Sequence, residues 1–288
     1  MFILVSSNPI NNLIMKKLLA FAAIVAISFM GCKKDDDNSG TPTGGGGTLT
    51  VEKKNRPLLI DFSEDWCGPC GSNGGPAFDS LLSYEGSMLT AIKVYSGSNN
   101  AALNWSTGNS LWTIYNNATY GGNGIPKFII GNKYQGVGSL GSTVSSSLTK
   151  ANTFIADSII AGIALNKSIE GDSMKVNTKI QFFKSQLANT DIRVALYVVE
   201  ELVIANQLVG STNDANYEHR NIVRTSNSGT YSGLQINSTA AIAADQIFDN
   251  SFSMYLKPGW DKSKLKVVAV IWKMNSNPAV VLNSNVAL

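Results

Sequence analysis

The segment Leu58–Cys70, LLIDFSEDWCGPC, constrains the fold of this chain more than any other stretch of its sequence. An apolar run of this length that ends in turn residues predicts a buried β-strand over Leu58–Phe62. One acid, Asp61, lies inside that run, and burying a carboxyl group is unfavourable unless it has a partner or a function. Two cysteines, separated by Gly68-Pro69, follow the strand. The segment therefore predicts a buried strand that carries a reactive site at its end.

This segment resembles the thioredoxin active site in its strand acid, the aromatic Phe62 after it, Trp66 and the CGPC sequence. A second match is Gly124-Ile125-Pro126, followed by the predicted strand Lys127–Ile130. In thioredoxins a proline in this position is cis and faces the two cysteines. The resemblance covers residues 49–157 and implies an α/β thioredoxin-like domain with thiol–disulfide oxidoreductase activity.

The resemblance implies a role for each residue of the site. Cys67, at the start of a helix that lowers its pKa, would be the nucleophile, and Cys70 would resolve the mixed disulfide. Asp61, with a pKa raised by burial, would exchange a proton with Cys70, and Pro126 would face the pair. No cofactor is expected. The residues expected to bind substrate are Trp66, Gly68, Pro69 and Ile125.

Several residues near the cysteines bear on whether the pair is reactive. Glu64 and Asp65 place negative charge before Cys67, and Gly71 stands where thioredoxin has a lysine, so both differences disfavour a thiolate. Lys93 matches the strand lysine that neighbours the acid in thioredoxins. The alternative is a structural disulfide that never turns over. We expect no metal site. A zinc site needs four ligands, and only His219 and two cysteines are available for one.

The remaining elements of this half follow from local pattern. We expect a regular helix to begin at Pro76, a strand over Met88–Val94, a helix near Ser110–Ala118 and a closing helix over Thr143–Ile159. The sequence Gly136–Gly141 fits GxGxxG, but it follows a predicted hairpin rather than opening a βαβ unit. We therefore expect no dinucleotide there.

The N-terminus has the pattern of an export signal. Met15-Lys16-Lys17 precedes an apolar run that ends in Gly31-Cys32, which resembles a bacterial lipoprotein signal with Cys32 as the acylated residue. Residues 1–31 would then be removed. If translation starts at Met15, which is the better start site, residues 1–14 are not made at all. An ordinary signal peptide with an idle cysteine is the alternative. Residues 32–48 predict a flexible tether, and the acidic run at its start resembles a surface-targeting signal of Bacteroidota lipoproteins.

Residues 158–288 have a different pattern of short runs rich in Val, Ile and aromatic residues, separated by polar turns. Such spacing predicts an all-β, immunoglobulin-like sandwich. Within it we expect His219 to lie on the surface, Glu200-Glu201 to form a solvated rim, and Trp260 and Trp272 to lie in the core.

A second resemblance, to another protein family, involves three C-terminal segments: Tyr217–Arg224, Leu265–Trp272 and Val286–Leu288. Together with the cysteine-bearing half, they resemble the twenty-eight-kilodalton outer-membrane protein family of the Bacteroidota. The net charge of +3 gives no indication of nucleic-acid binding. The sequence thus predicts an outer-membrane lipoprotein, on the periplasmic face or the cell surface. It would exchange disulfides with cysteine-containing envelope proteins and a thiol electron donor. The alternative is a non-catalytic binding or adhesion lipoprotein.

Overall fold

The apolar run before the cysteines forms strand β1, Leu58–Ser63, and all six of its residues are buried. The structure is a computed structural model that describes residues 48–276 and 278–288. The predicted signal peptide, Cys32 and nearly all of the tether lie outside these residues.

The first half of the described chain mixes helices and strands. Its strands and helices, in chain order, are β1, α1 (Gly75–Leu82), β2 (Thr90–Tyr95), α2 (Gly108–Tyr115), β3 (Lys127–Ile130), β4 (Lys133–Gly136) and α3 (Leu140–Ala156). A π-helical turn over Cys70–Gly74 precedes α1, and a 3₁₀ turn over Ala118–Tyr120 follows α2. The predicted strand at Lys127–Ile130 is confirmed, and the expected helix at Pro76 begins one residue earlier.

The second half is built from strands, apart from a 3₁₀ turn at Lys262–Lys264. The strands are β5 (Ala161–Glu170), β6 (Ser173–Phe182), β7 (Ile192–Val209), β8 (Thr212–Ser226), β9 (Leu234–Gln235), β10 (Ile247–Tyr255), β11 (Leu265–Lys273) and β12 (Val280–Ala287). Val- and Ile-rich runs form β11 and the first part of β7, and both are buried on both faces.

Two sheets contain these strands. The large one has the order β12-β11-β7-β8-β2-β1-β3-β4, with β9 paired to β7 as its ninth strand. In this mixed sheet β2 is parallel to β1 and to β8, and the other pairs are antiparallel. The small sheet, β10-β6-β5, is antiparallel throughout. The described part of the chain is therefore mostly β-sheet, with three short to medium α-helices.

The large sheet runs across the position where we expected the chain to divide. The predicted boundary after residue 157 falls between α3 and β5, yet β8 of the second half pairs with β2 of the first at Lys93 and Ile222. Contacts place all described residues in one compact unit. The expected succession of an α/β thioredoxin-like domain and an immunoglobulin-like sandwich is not confirmed, because the two halves share one sheet.

The hydrophobic core also joins the two halves. One face of the large sheet packs Ile60 and Phe62 of β1 and Leu111 of α2 in the same cluster as Tyr197 of β7 and Trp272 of β11. On the opposite face, the small sheet packs on β7 and β11, and α1 and α3 pack on β1 and β3. Burying an aromatic or large aliphatic side chain stabilises a fold by about 1.5–3 kcal/mol, so a cluster drawn from both halves couples their folding.

Three of the C-terminal expectations can be compared with the structure directly. Trp272 is buried, as predicted, and Trp260 is partly buried against the small-sheet core. The predicted solvated rim at Glu200 is wrong, because Glu200 lies inside β7 with 4% exposure and pairs with Arg224 at 2.6 Å. The strand continues past Glu200 to Val209, which sequence pattern did not indicate.

No helix among the described residues is long and apolar enough to cross a membrane.

Candidate functional site

The two cysteines lie at the start of the helical segment that follows β1. Cys67 and Cys70 form a disulfide, as predicted, and helical conformation begins directly after Cys67. The carbonyl of Cys67 accepts hydrogen bonds from the backbone N–H groups of Cys70 at 3.0 Å and Gly71 at 3.3 Å. The N–H of Cys70 also points at the Cys67 Sγ, 3.2 Å away. A cysteine at a helix start of this kind is favoured as a thiolate over a thiol when the disulfide is reduced.

A buried ion pair lies on the strands beneath this turn. Asp61 of β1 and Lys93 of β2 are register partners in the parallel pair, and their side chains meet with Nζ 3.2 Å from Oδ2. Both residues are buried, at 0% and 1% exposure. Burial raises the pKa of the Asp61 carboxyl, and the charge of Lys93 opposes that rise. The ammonium of Lys93 also lies 4.8 Å from the ring centroid of Phe78, which places the pair against α1.

The peptide bond between Ile125 and Pro126 is cis, as predicted. Pro126 packs on the helical turn that begins at Cys70, because a Cβ added to Gly74 would lie 2.8 Å from the Cβ of Pro126. The cis proline is therefore in direct contact with the cysteine turn, by which we mean residues 64–74 around the two cysteines.

Lys127, the first residue of β3, holds the loop before Pro126, and sequence reasoning did not assign it a role. Its buried ammonium donates hydrogen bonds to the carbonyls of Tyr115 at 2.9 Å, Tyr120 at 3.4 Å and Gly122 at 2.6 Å. It also lies 3.9 Å from the ring centroid of Trp112. Burial lowers the pKa of Lys127 to about 8. A lysine inside an otherwise apolar four-residue strand was the one sequence signal for this role.

The hairpin formed by β7 and β8 packs on the cysteine turn from the second half of the chain. The N–H of Leu208 donates to the carbonyl of Asp65 at 2.8 Å, and the N–H of Gly210 donates to the carbonyl of Gly68 at 3.0 Å. The buried amide of Gln207 donates to the carbonyls of Glu64 at 3.2 Å and Cys67 at 3.1 Å. These contacts join residues about 140 positions apart, so no local pattern could have predicted them.

The β7–β8 hairpin explains why the positions around the cysteines are occupied by glycine. A Cβ at Gly68 would lie 2.0 Å from the carbonyl oxygen of Gly210, and one at Gly71 would lie 2.4 Å from that of Leu208. At Gly75 a Cβ would meet the hydroxyl of Tyr217 at 1.9 Å. The hairpin therefore leaves no room for a side chain at position 71.

His219 of β8 is buried, so its predicted surface position is wrong. The residue has 0% exposure, and its Nδ1 lies 2.7 Å from the hydroxyl of Tyr95 on β2. Burial, with a further contribution from the charge of Lys93, lowers the pKa of His219 to about 4. The residue is neutral near pH 7 and belongs to the polar interior behind the cysteine turn. Its place follows from the pairing of β8 with β2, which the sequence does not reveal.

Glu64 is also less exposed than its position before the cysteines suggested. Its side chain turns towards the loop after β2, where Oε1 accepts hydrogen bonds from Ser96 N at 3.0 Å, Ser96 Oγ at 3.1 Å and Gly97 N at 2.7 Å. Burial raises the pKa of the Glu64 carboxyl, and these donors oppose the rise. Of the two negative charges expected before Cys67, that of Glu64 is therefore turned towards Ser96 and Gly97, and Asp65 is half-buried.

The predicted substrate-binding residues differ in their exposure. Trp66 is 58% exposed and Pro69 is exposed, while Ile125 and Pro126 are half-buried. Gly68 is covered by Gly210. Cys67 retains 6% exposure and Cys70 only 1%. The accessible side of the turn is therefore the side formed by Trp66 and the cis-proline loop.

Comparisons with known proteins add information on the fold. No protein-family model matches the sequence, and a search of curated proteins found no match. Among solved structures, the chain is similar to HBP35 of Porphyromonas gingivalis, with a TM-score of 0.64 and 18% sequence identity over 82% of this chain and 76% of that chain. A domain of the outer membrane lipoprotein Omp28 from Porphyromonas gingivalis aligns with a TM-score of 0.31 and 11% identity over 46% of this chain and 88% of that chain. The first likeness shows that the fold occurs in HBP35, and the second is too low to support a statement about the fold.

Gly71→Ala should lower the free energy of unfolding by at least about 1 kcal/mol, because the added methyl group overlaps the Leu208 carbonyl. The matched control is Gly141→Ala in α3, where nothing lies within 4 Å of the new Cβ. That control should stabilise the protein by up to about 1 kcal/mol, as Ala does in helices. Urea unfolding measures the free energy of unfolding of both variants. If both substitutions stabilise the protein, the hairpin does not pack on the cysteine turn as described.

His219→Gln should make stability less dependent on pH between 7 and 4. The folded-state pKa of about 4 lies below the ordinary 6.5, so in this window the unfolded chain binds a proton that the folded protein does not. The wild type should therefore lose about 3 kcal/mol more than the variant as the pH falls. Tyr95→Phe, which keeps the histidine, is the control and should retain most of the dependence. Parallel pH curves for wild type and His219→Gln would show that His219 is not buried in its neutral form.

Proposed function

We propose that this protein exchanges disulfides with cysteine-containing proteins through Cys67 and Cys70. The observation that carries the proposal is the disulfide at a helix start with the Asp61–Lys93 pair buried beneath it. A disulfide that serves only stability needs no buried acid of raised pKa in the strand that leads to it. Such an acid has a clear use where protons enter and leave a thiol near neutral pH.

The reaction of the reduced protein follows from these positions. The Cys67 thiolate attacks a substrate disulfide, so that a bond forms from Cys67 Sγ to one substrate sulfur and the other leaves as a thiolate, which takes up a proton. Cys70 then loses its proton to Asp61 and attacks Cys67 Sγ. The Cys67–Cys70 disulfide forms again and the second substrate thiol is released. Two electrons pass to the substrate, and a dithiol donor must return them.

The substrate is expected on the side of the turn that the hairpin does not cover. There Trp66 and Pro69 are exposed, and the backbone before Pro126 borders the same surface. An extended peptide that adds to this backbone as a strand would bring its cysteine to Cys67. The hairpin would serve as a rigid support from the other side, since it binds the carbonyls of Asp65, Cys67 and Gly68.

The cellular setting is proposed from the N-terminal sequence. Acylation at Cys32 would tether the protein to the outer membrane, where partners would be exported proteins with cysteine pairs. A disulfide in the structure agrees with an oxidising compartment.

A second function, that of a non-catalytic binding lipoprotein with a structural disulfide, is favoured by one feature. Cys67 is only 6% exposed, and the hairpin makes four hydrogen bonds to the carbonyls of residues 64–68. Contacts of that kind would keep the turn fixed whether or not the disulfide ever opens. The two functions differ in whether the reduced protein can reduce another disulfide, for which insulin is a general substrate.

Cys70→Ser should accumulate mixed disulfides with envelope proteins, because the first attack proceeds and the second cannot. Adducts would be seen as bands on a non-reducing gel that disappear with dithiothreitol. Cys67→Ser is the matched control and should give few or none, since Cys70 is buried.

Asp61→Asn should slow insulin reduction and leave the trapping by Cys70→Ser intact, because it removes proton transfer but not the attack. Equal trapping by both serine variants would contradict the assigned order of the two cysteines. Trapping by neither, together with no reduction of insulin, would favour the structural disulfide.

A further inference from the structure

A cavity of about 210 Å³ opens beside Trp66, on the side of the cysteine turn away from the hairpin. Its lining comes from the end of β1 and from the loops after β2 and before β3. The residues that line it are Phe62, Ser63, Glu64, Trp66, Ser96, Gly97, Trp112, Asn123 and Ile125. Two of them, Trp66 and Ile125, are residues that the proposed function places next to the substrate.

Three aromatic side chains form the apolar walls of the cavity. Phe62 and Trp112 meet edge to face with ring centroids 5.2 Å apart, and Trp66 contributes an indole that is 58% exposed. Walls of this kind accommodate an alkyl chain, and an indole face also attracts a cation. One face of Trp112 already carries the ammonium of Lys127 at 3.9 Å. Trp66 is therefore the ring that remains available to a ligand.

Glu64 is the one charged residue in this lining. It has 5% exposure, and its two carboxylate oxygens differ sharply in their partners. Oε1 accepts three hydrogen bonds from Ser96 and Gly97. Oε2 is buried and has no partner among the described residues. A buried carboxylate oxygen without a donor is unfavourable, so a ligand that supplies one would be bound favourably.

We propose that this cavity binds the side chain of a lysine next to the reacting cysteine of a substrate protein. The alkyl chain would lie along Trp66, and the ammonium would donate to Glu64 Oε2 after a small rotation of the Glu64 side chain that opens this buried oxygen to the cavity. A lysine fits better than an arginine, because an ammonium is a point charge that one oxygen can satisfy, whereas a guanidinium binds best to both oxygens of a carboxylate. The ligand is named as part of a substrate protein, and in that respect the inference rests on the proposed function.

The surrounding charges favour the same ligand. Asp65, next to Glu64 in the chain, adds a second negative charge that acts on Glu64, and no Lys or Arg is among the described residues that line the cavity. An acidic or phosphorylated segment would meet repulsion there, while a neutral one would leave Oε2 without a donor. The cavity would therefore select among cysteine-containing segments by the residue beside the cysteine.

The test compares the rates at which the reduced protein reduces short disulfide-linked peptides that differ in one residue beside the cysteine: Lys, norleucine, Arg or Glu. The expected kcat/KM for the Lys peptide is at least tenfold that for the norleucine peptide, with Arg between them and Glu lowest. In Glu64→Gln the ratio of Lys to norleucine should fall to about one, however the absolute rates change. Asp65→Asn is the matched control and should keep most of the preference at 150 mM salt.

Other results would overturn either the lysine site or the proposed function, and the experiment distinguishes the two. Equal rates for the Lys and norleucine peptides would overturn the lysine site and leave disulfide exchange standing. If no peptide is reduced, the proposed function fails, and the site is then decided by binding of redox-inert peptides, with Ser for Cys, to the oxidised protein. There a tenfold preference for Lys that Glu64→Gln abolishes would support the site, and equal binding would overturn it. Tighter binding of free butylamine than of the Lys peptide would overturn the assignment to a protein substrate.

Discussion

The hydrogen bonds from the β7–β8 hairpin to the cysteine turn are the contacts on which the rest of the structure depends. Leu208 and Gly210 bind the carbonyls of Asp65 and Gly68, and the amide of Gln207 binds that of Cys67. For these bonds to form, β8 must lie beside β2, and the large sheet must therefore run without interruption from one half of the chain to the other. The shared core around Phe62 and Trp272 follows from that sheet. The hairpin also dictates glycine at positions 68, 71 and 75.

The same arrangement gives the cysteine turn two different sides. On one side the backbone of the hairpin takes up the carbonyl groups of the turn, and there is no space for a partner. On the other side Pro126 packs against Gly74, and Trp66 is largely exposed. In the proposed function, a protein substrate approaches from that second side. The cavity with Glu64 lies there too, so recognition and the proposed chemistry share one surface.

Burial controls the charge of the groups behind the turn. Asp61 and Lys93 face each other in an interior where each would be strongly unfavourable alone, and removing one partner of such a pair typically costs about 3–5 kcal/mol. His219 stays neutral near pH 7 because burial, with a smaller contribution from the charge of Lys93, lowers its pKa to about 4. Tyr95, whose pKa is raised by burial, caps the imidazole with its hydroxyl. The second half of the chain thus contributes a histidine to the surroundings of a site whose cysteines belong to the first.

Local sequence predicted the features that depend on neighbours in the chain. The strand before the cysteines, the disulfide, the cis bond at Pro126 and the strand at Lys127–Ile130 all follow from short motifs, and all are present. The features that were missed depend on pairing between distant segments. His219 has the sequence surroundings of a surface residue and is buried only because β8 joins β2. The single Lys93–Ile222 register pair that connects the halves has no sequence signature, and for that reason two domains were expected where the sheet is one.

The most direct test of the central claim, that Cys67 and Cys70 form a reactive pair, is a redox titration of the folded protein. The fraction of reduced pair is measured by alkylation and mass spectrometry in dithiothreitol buffers of defined potential. A pair that exchanges electrons with other proteins should be half reduced between about −120 and −270 mV, the range of known thiol–disulfide oxidoreductases. A pair that remains oxidised below about −300 mV, as structural disulfides do, would contradict the proposal.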